Sequence, residues 1–290
     1  MASPKRKRSV DGPPRVADGV EEAAAWALSH MNDDDGDDGP VQDSALTASA
    51  AAMGTQQKQV HRFIAELQGT EEEACAALKT AVYRCRQGDY AALTRYIALS
   101  PACGELFALA DRKRQTDGRT ISATTLFLVE LLGWVLLGCV DARFPSSSTT
   151  GNAVCRGVLN SSTMFISRCL FAVLNTSRDW ALIGALRLLR GLFSFSPRAA
   201  LQASTAVANW TVTRDAKGTA ANDTIEHGWK ALSRLLGRRR VTAEGETVRE
   251  QGLLLTVAIL KAAETNKDLA AQLVLHPVNV AAVSWPSLGR

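Results

Sequence analysis

The chain has 290 residues, 46% of them apolar and only 6% aromatic, with 33 basic and 29 acidic side chains for a formal charge of +4. That is ample for a core in one or two domains, and the dominance of Ala and Leu over alternating runs of Val, Ile and Thr argues against a fold built on sheet. The charge is split: residues 1–54 carry five basic and ten acidic side chains, net −5, so the remainder carries +9. A positive folded part behind an acidic tail suits a polyanionic partner, or a protein bound to one, or serves solubility alone.

Residues 1–55 read as a disordered tail, because the acidic run around Asp33–Asp38 and the Ala/Ser-rich stretch after it cannot bury enough apolar surface to offset ordering. The acidic run lacks the twelve-residue loop and closing Glu of a calcium site. At the start, Lys5, Arg6, Lys7 and Arg8 follow Pro4. Four consecutive cations suit an importin groove, with a merely soluble basic terminus as the alternative. No apolar run follows them, so a signal peptide is not expected and the compartment reads as intracellular and reducing. The sequons at Asn160, Asn175, Asn209 and Asn222 are then chance matches.

Residues 56–290 read as an α-helical repeat domain. Val60, Phe63, Ile64 and Leu67 mark a first helix. Thr70-Glu-Glu-Glu73 is a capping box that opens a second, running to about Arg86 and ended by Gly88. Ala91 to Leu99 follows, then Ser100-Pro101 and Ser196-Pro197 act as N-cap and first-turn pairs. The stretch from Asp111 to Arg119 reads as a basic loop.

Ile121 to Val140 is a twenty-residue apolar segment, long enough to cross a bilayer, with Glu130 at its centre. A lone carboxylate there costs about 2.5–3.5 kcal/mol or more against lipid, so a central helix covered by its neighbours is the reading. Pro145 to Gly151 reads as a spacer. Ala153 to Phe195 reads as two helices joined at Thr176–Asp179, the first with a stripe of Val154, Val158, Phe165, Cys169 and Val173. The second has Leu182, Leu186, Leu189 and Phe193 on its apolar face, with Arg187, Arg190 and Ser194 turned away from it.

Ala199–Asn209, Ile225–Leu236, Val248–Ala263 and Leu269–Leu275 continue the helical series. Pro277 and Pro286 break the last segment, and no polar capping helix follows. Residues 277–290 are therefore expected to fold back, or the chain is the front piece of a longer scaffold. Helix after helix on short connections, with no strict repeat of residue identity, gives an all-α fold of irregular HEAT/armadillo-like solenoid type.

Motifs for chemistry are missing from this pattern. There is no G-x-x-x-x-G-K-[ST], no G-x-G-x-x-G and no G-x-S-x-G. The four histidines are scattered, and none of the six cysteines forms a C-x-x-C pair; most sit inside apolar helical patterns as small buried hydrophobes. An enzyme, a bound cofactor and a metal are not expected. Arg112, Lys113, Arg114 and Arg238, Arg239, Arg240 are the candidate phosphate or RNA contacts, because the planar guanidinium fork matches phosphate oxygens. With few aromatics beside them, they would read RNA backbone and shape rather than sequence, or else are solvated loops. Trp134, Trp180, Trp210 and Trp229 lie in or beside helices, where packing is the default and a partner surface the alternative.

Between about residues 80 and 215 the order of segments carries a resemblance: Cys103-Gly-Glu-Leu-Phe, Asp111-Arg-Lys-Arg, Thr125-Leu-Phe-Leu-Val-Glu-Leu-Leu, Gly151-Asn-Ala-Val-Cys-Arg-Gly-Val-Leu, Ala185-Leu-Arg-Leu-Leu-Arg-Gly-Leu and Ser196-Pro-Arg-Ala-Ala. This resembles the N-terminal domain of the nucleolar pre-ribosomal-associated protein family, scaffolds of the unhealthy ribosome biogenesis type. The resemblance implies a non-catalytic helical scaffold in the nucleolus. Its task would lie in early assembly of the large ribosomal subunit, in pre-rRNA processing and maturation of the 5.8S and large-subunit rRNA. It also implies pre-ribosomal particle proteins and RNA helicases as partners. The alternative expectation is a HEAT-like adaptor in transport or coat assembly with no ribosomal role. On either reading no membrane is engaged.

Overall fold

A computed structural model describes residues 54, 58–89, 93–94, 97, 102–116, 121–142, 147–160, 164–175, 178–214, 224–236 and 248–275. All belong to the compact unit Ala52–Arg290. Nearly all are helical, so the described part is all-α apart from one short β-ribbon.

Helix α1 covers 58–68. The turn to α2 (Glu71–Arg84) is closed by the capping box: Thr70 N–H donates to Glu73 Oε2 at 2.8 Å, and Glu73 N–H donates to Thr70 Oγ1 at 3.3 Å. The chain then widens into a π-type turn over Cys85–Asp89, where Gly88 takes a φ of 87°. That value is in the left-handed region, which costs Gly little and other residues more. Helix α3 (Ala102–Thr116) precedes α4 (Ala123–Val140), whose N-cap Ser122 accepts from Thr125 N–H at 3.2 Å. Next come α5 (Ser147–Leu159), a π-type turn at Ile166–Leu170 that leads into the short α6 (Phe171–Leu174), and α7 (Asp179–Phe195).

Ser196 then caps α8 (Pro197–Asn209), accepting from Ala199 N–H at 3.2 Å with Pro197 in the first turn. Strands β1 (Thr211–Arg214) and β2 (Thr224–His227) pair antiparallel, with Thr211 opposite His227 and Val212 opposite Glu226. Helices α9 (Gly228–Leu236), α10 (Val248–Thr265) and α11 (Lys267–Leu275) complete the order.

The packing follows two rows. In one, α2 lies on α4, α4 on α7 and α7 on α10; in the other, α3 lies on α5, α5 on α8 and α8 on α11. Across the rows, α4 packs on α5, α7 on α8 and α10 on α11. The α4–α7 contact is the most extensive, and Leu128, Leu131, Leu132, Leu136, Leu182 and Leu189 are all buried in the core it belongs to. Small residues set how closely the two helices approach. A Cβ on Gly133 would stand 3.0 Å from Gly184 O, and one on Gly184 would stand 2.7 Å from Glu130 Cβ. Asn266 ties the last pair back to the rows. Its Oδ1 accepts from Asp268 and Leu269 N–H at the start of α11, and its Nδ2 donates to Pro197 O at 3.3 Å.

Several expectations are corrected. The run Arg112–Lys113–Arg114 lies inside α3 rather than in a loop, since Arg, Lys and Gln are good helix formers whatever their polarity. The expected spacer at Pro145–Gly151 is already α5 from Ser147. The single helix expected after Ala153 is broken: α5 ends at Leu159, and Met164 takes a φ of 50°, in the left-handed region where helical winding stops. The ribbon was not foreseen, and residues Ile225–His227 are strand rather than the start of a helix. The expected tail apart from residue 54, the Ser100-Pro101 cap and residues 277–290 lie outside the described residues.

Two glycine substitutions test the close crossing. Gly184→Ala forces Glu130 or the α4 backbone to move and is expected to lower stability by about 1–3 kcal/mol. Gly104→Ala on α3, where an added Cβ meets nothing within 4 Å, is expected to raise it by roughly 0.5–1 kcal/mol. Urea unfolding of both variants reads the opposite signs.

Candidate functional site

The chemically distinctive place in the described fold lies where α2, α4 and α7 meet. The wide turn after α2 swings Arg86 over α4, where its guanidinium grips Glu130 with both ends of its fork. Nε donates to Oε1 at 2.9 Å and Nη2 donates to Oε2 at 2.8 Å. From the other side, Arg187 of α7 donates from Nη1 to Glu130 Oε1 at 3.4 Å. Glu130 is 0% exposed and Arg187 3%, whereas the Arg86 side chain keeps 24% of its surface.

Aromatic rings flank both cations. Arg187 lies over the ring of Trp134 with Cζ 4.2 Å from its centroid, and Arg86 lies 5.9 Å from that of Trp180. Trp180 in turn stacks on Phe127, centroids 5.0 Å apart and planes at 26°. The result is a chain of charge and π contacts across three helices. Both carboxylate oxygens are engaged by guanidinium groups, so the group acts as an anchor between helices.

Arg187 was expected to point away from the apolar face, and that is corrected here. A helix with neighbours on both flanks buries more than one stripe, and α7 packs against α4, α8 and α10 together. Glu130 was the available signal. A carboxylate in the middle of an apolar helix requires cations near it in the fold. Which cations these were depended on tertiary packing, since Arg86 and Arg187 stand 44 and 57 residues away in sequence.

Of the sequence-derived site residues, Arg112, Lys113 and Arg114 are described, and all three lie on α3. Arg112 is exposed on α3, and its Nη2 donates to Leu67 O at 2.7 Å. It thus satisfies a carbonyl at the end of α1 and braces α1 against α3. Lys113 and Arg114 share that helix. Lys5, Arg6, Lys7, Arg8, Arg238, Arg239 and Arg240 lie outside the described residues.

An open groove of about 650 Å³ runs beside α1 and α2, with Val60, Phe63, Ala77 and Ile97 among its apolar lining and Arg62 and Glu66 paired at 2.8 Å on its rim. Among the described residues, no group of three His, Cys, Asp or Glu side chains could hold a metal ion. Burial pushes the thiols of Cys85, Cys139 and Cys155 up from 9.0 to about 12 and that of Cys103 to about 11; nearby negative charge on Glu130 adds to the effect at Cys85.

No family model matches this chain, and no characterised protein and no solved structure matches it either.

Two measurements test this geometry. Glu130→Leu strands Arg187 in the core and is expected to cost about 3–5 kcal/mol, while adding Arg187→Met to it restores much of the loss. Additive losses in that cycle would show that the two groups are not coupled. For the thiols, Cys85, Cys139 and Cys155 should stay unlabelled by a maleimide in the folded protein and react on unfolding. Because the fold keeps these thiols protonated where the unfolded chain releases the protons, stability is expected to fall as pH rises from 9 toward 12.

Proposed function

We propose that the two rows of helices are a short, irregular HEAT/armadillo-like solenoid whose task is to hold partners. Its place of work, on this reading, is the nucleolus, as a non-catalytic scaffold in early assembly of the large ribosomal subunit. One observation carries the proposal. The segments with the pre-ribosomal resemblance, Cys103–Phe107, Thr125–Leu132, Gly151–Leu159 and Ala185–Leu192, lie on α3, α4, α5 and α7, consecutive members of the two rows. The resemblance and the stacked core therefore fall on the same helices. In such an array each pair contacts its neighbours, and the surface along the rows is left for partners.

Pre-rRNA would be held through its backbone by Lys113, Arg114 and Arg238–Arg240, with import through Lys5–Arg8. Arg112 is already engaged by Leu67 O and contributes less. Residues 55–290 are the basic part of the chain, at +9 against −5 for residues 1–54, which fits a polyanion.

A tagged full chain should sediment with large pre-ribosomal particles on a sucrose gradient, and removal of residues 4–8 should abolish its nuclear accumulation. A tagged chain that stays at the top of the gradient would overturn the ribosomal reading.

A further inference from the structure

Helix α10 ends the row α2–α4–α7–α10, and it carries an apolar flank of its own. Among the described residues, six large hydrophobic side chains are exposed, and four of them are on this helix: Leu253 (37%), Leu254 (40%), Val257 (49%) and Leu260 (48%). At 100° per residue they share one side of α10. The opposite side, with Val248, Leu255 and Ile259, is buried in the core.

The order of the chain points to what covers that flank. Each time the chain leaves a helix of the second row, it goes on to lay a helix against the preceding helix of the first row. After α3 it lays α4 on α2. After α5, by way of the short α6, it lays α7 on α4, and after α8, by way of the ribbon and α9, it lays α10 on α7. Helix α11 is the next member of the second row, and residues 276–290 follow it outside the described residues.

We propose that residues 277–285 of the same chain lie along the Leu253–Leu260 flank of α10, as the next step of this alternation. The segment has the chemistry for it. Six of the eight residues 278–285 are apolar and none is charged, so it needs no ion pair from the flank it covers. Val278, Ala281, Ala282 and Trp285 recur at steps of three and four, between Pro277 and Pro286. It also reaches. Packed helices such as α10 and α11 stand about 8–10 Å apart, and the ten residues after Leu275 can span roughly 33 Å. A tether this short holds the segment near the flank at an effective concentration on the order of mM, ahead of a second copy of the chain. The inference rests on the two rows of helices and not on the nucleolar reading, so the sucrose gradient and the experiment below fail separately.

Hydrogen exchange of the purified full chain, read by mass spectrometry, tests this. Amides of residues 278–285 are expected to be protected, and Val257→Asp should remove at least about tenfold of that protection while α4 and α7 keep theirs. Trp285→Asp should in turn raise hydroxyl-radical oxidation of Leu254 and Val257 several-fold. Residues 278–285 that exchange freely in the unaltered chain overturn the proposal. Protection there that Val257→Asp leaves unchanged would put the segment elsewhere and overturns it too. So does a loss of protection that spreads to α4 and α7, because Val257 would then belong to the core rather than to a flank. Oxidation of Leu254 and Val257 that falls as the chain is concentrated from about 5 to 500 μM would assign the flank to a second copy instead.

Discussion

The crossing of α4 with α7 and with the turn after α2 is arranged around one carboxylate with no access to water. Helix α4 is otherwise so apolar, with a mean hydropathy of 2.0 over 18 residues, that its Leu and Val side chains could pack against neighbouring helices in several registers. Glu130 removes that freedom. Its two oxygens face Arg86 from the turn after α2 and Arg187 from α7, and a slip of either helix by one turn, about 5.4 Å, would bury an unpaired charge. The ion cluster need not add net stability to do this. It penalises the wrong alignments, which a uniformly apolar interface cannot.

The glycines act with it. Gly184 sits against Glu130 itself, and Gly133 sits one turn along α4 against Gly184 and Leu188. Larger residues at either place would hold α4 and α7 apart and lengthen the reach that Arg187 must span. The same stacking energy explains why α4 satisfies the length and hydropathy of a membrane-crossing helix while 78% of it is buried within its own fold. Helix α2, which lies directly on it, exposes Glu71, Glu72, Glu73, Lys79 and Arg84 on its outer side.

What was legible in the sequence was local. The Thr70 box, the Ser196-Pro197 start and the role of Gly88 depend on residues within four positions of each other, and all appear as read. So does the burial of α4, because a long apolar run with one carboxylate needs cover. The failures have two causes, a local signal outweighed by polarity and environments made by residues distant in the chain. Polarity alone suggested a loop at Arg112–Arg114, where helix propensity was already favourable. Thr211-Val-Thr213 is a short β-branched run, a strand signal by composition, yet it pairs only because Thr224–His227 returns beside it. Trp210 stacks on Phe171 at 4.8 Å just before the ribbon, a contact across 39 positions that no periodicity announces. Arg187 was misplaced for the same reason: its environment is made by helices distant in the chain.

A row of helices differs from a closed bundle in what its ends require. An interior member such as α4 or α7 meets a neighbour on each flank, and its side chains are almost wholly buried. The last member has one flank to spare. On α10 that flank is Leu and Val bracketed by Glu and Lys rather than a polar cap. Leaving four aliphatic side chains in water forgoes roughly 25 cal/mol for each Å² they could bury, a cost an end helix avoids simply by carrying polar residues there. The buried cluster at one crossing and the bare stripe at the end of the row thus answer the same geometry. Stacked helices need something to fix their register inside the array, and the same stacking leaves a flank available where the array stops.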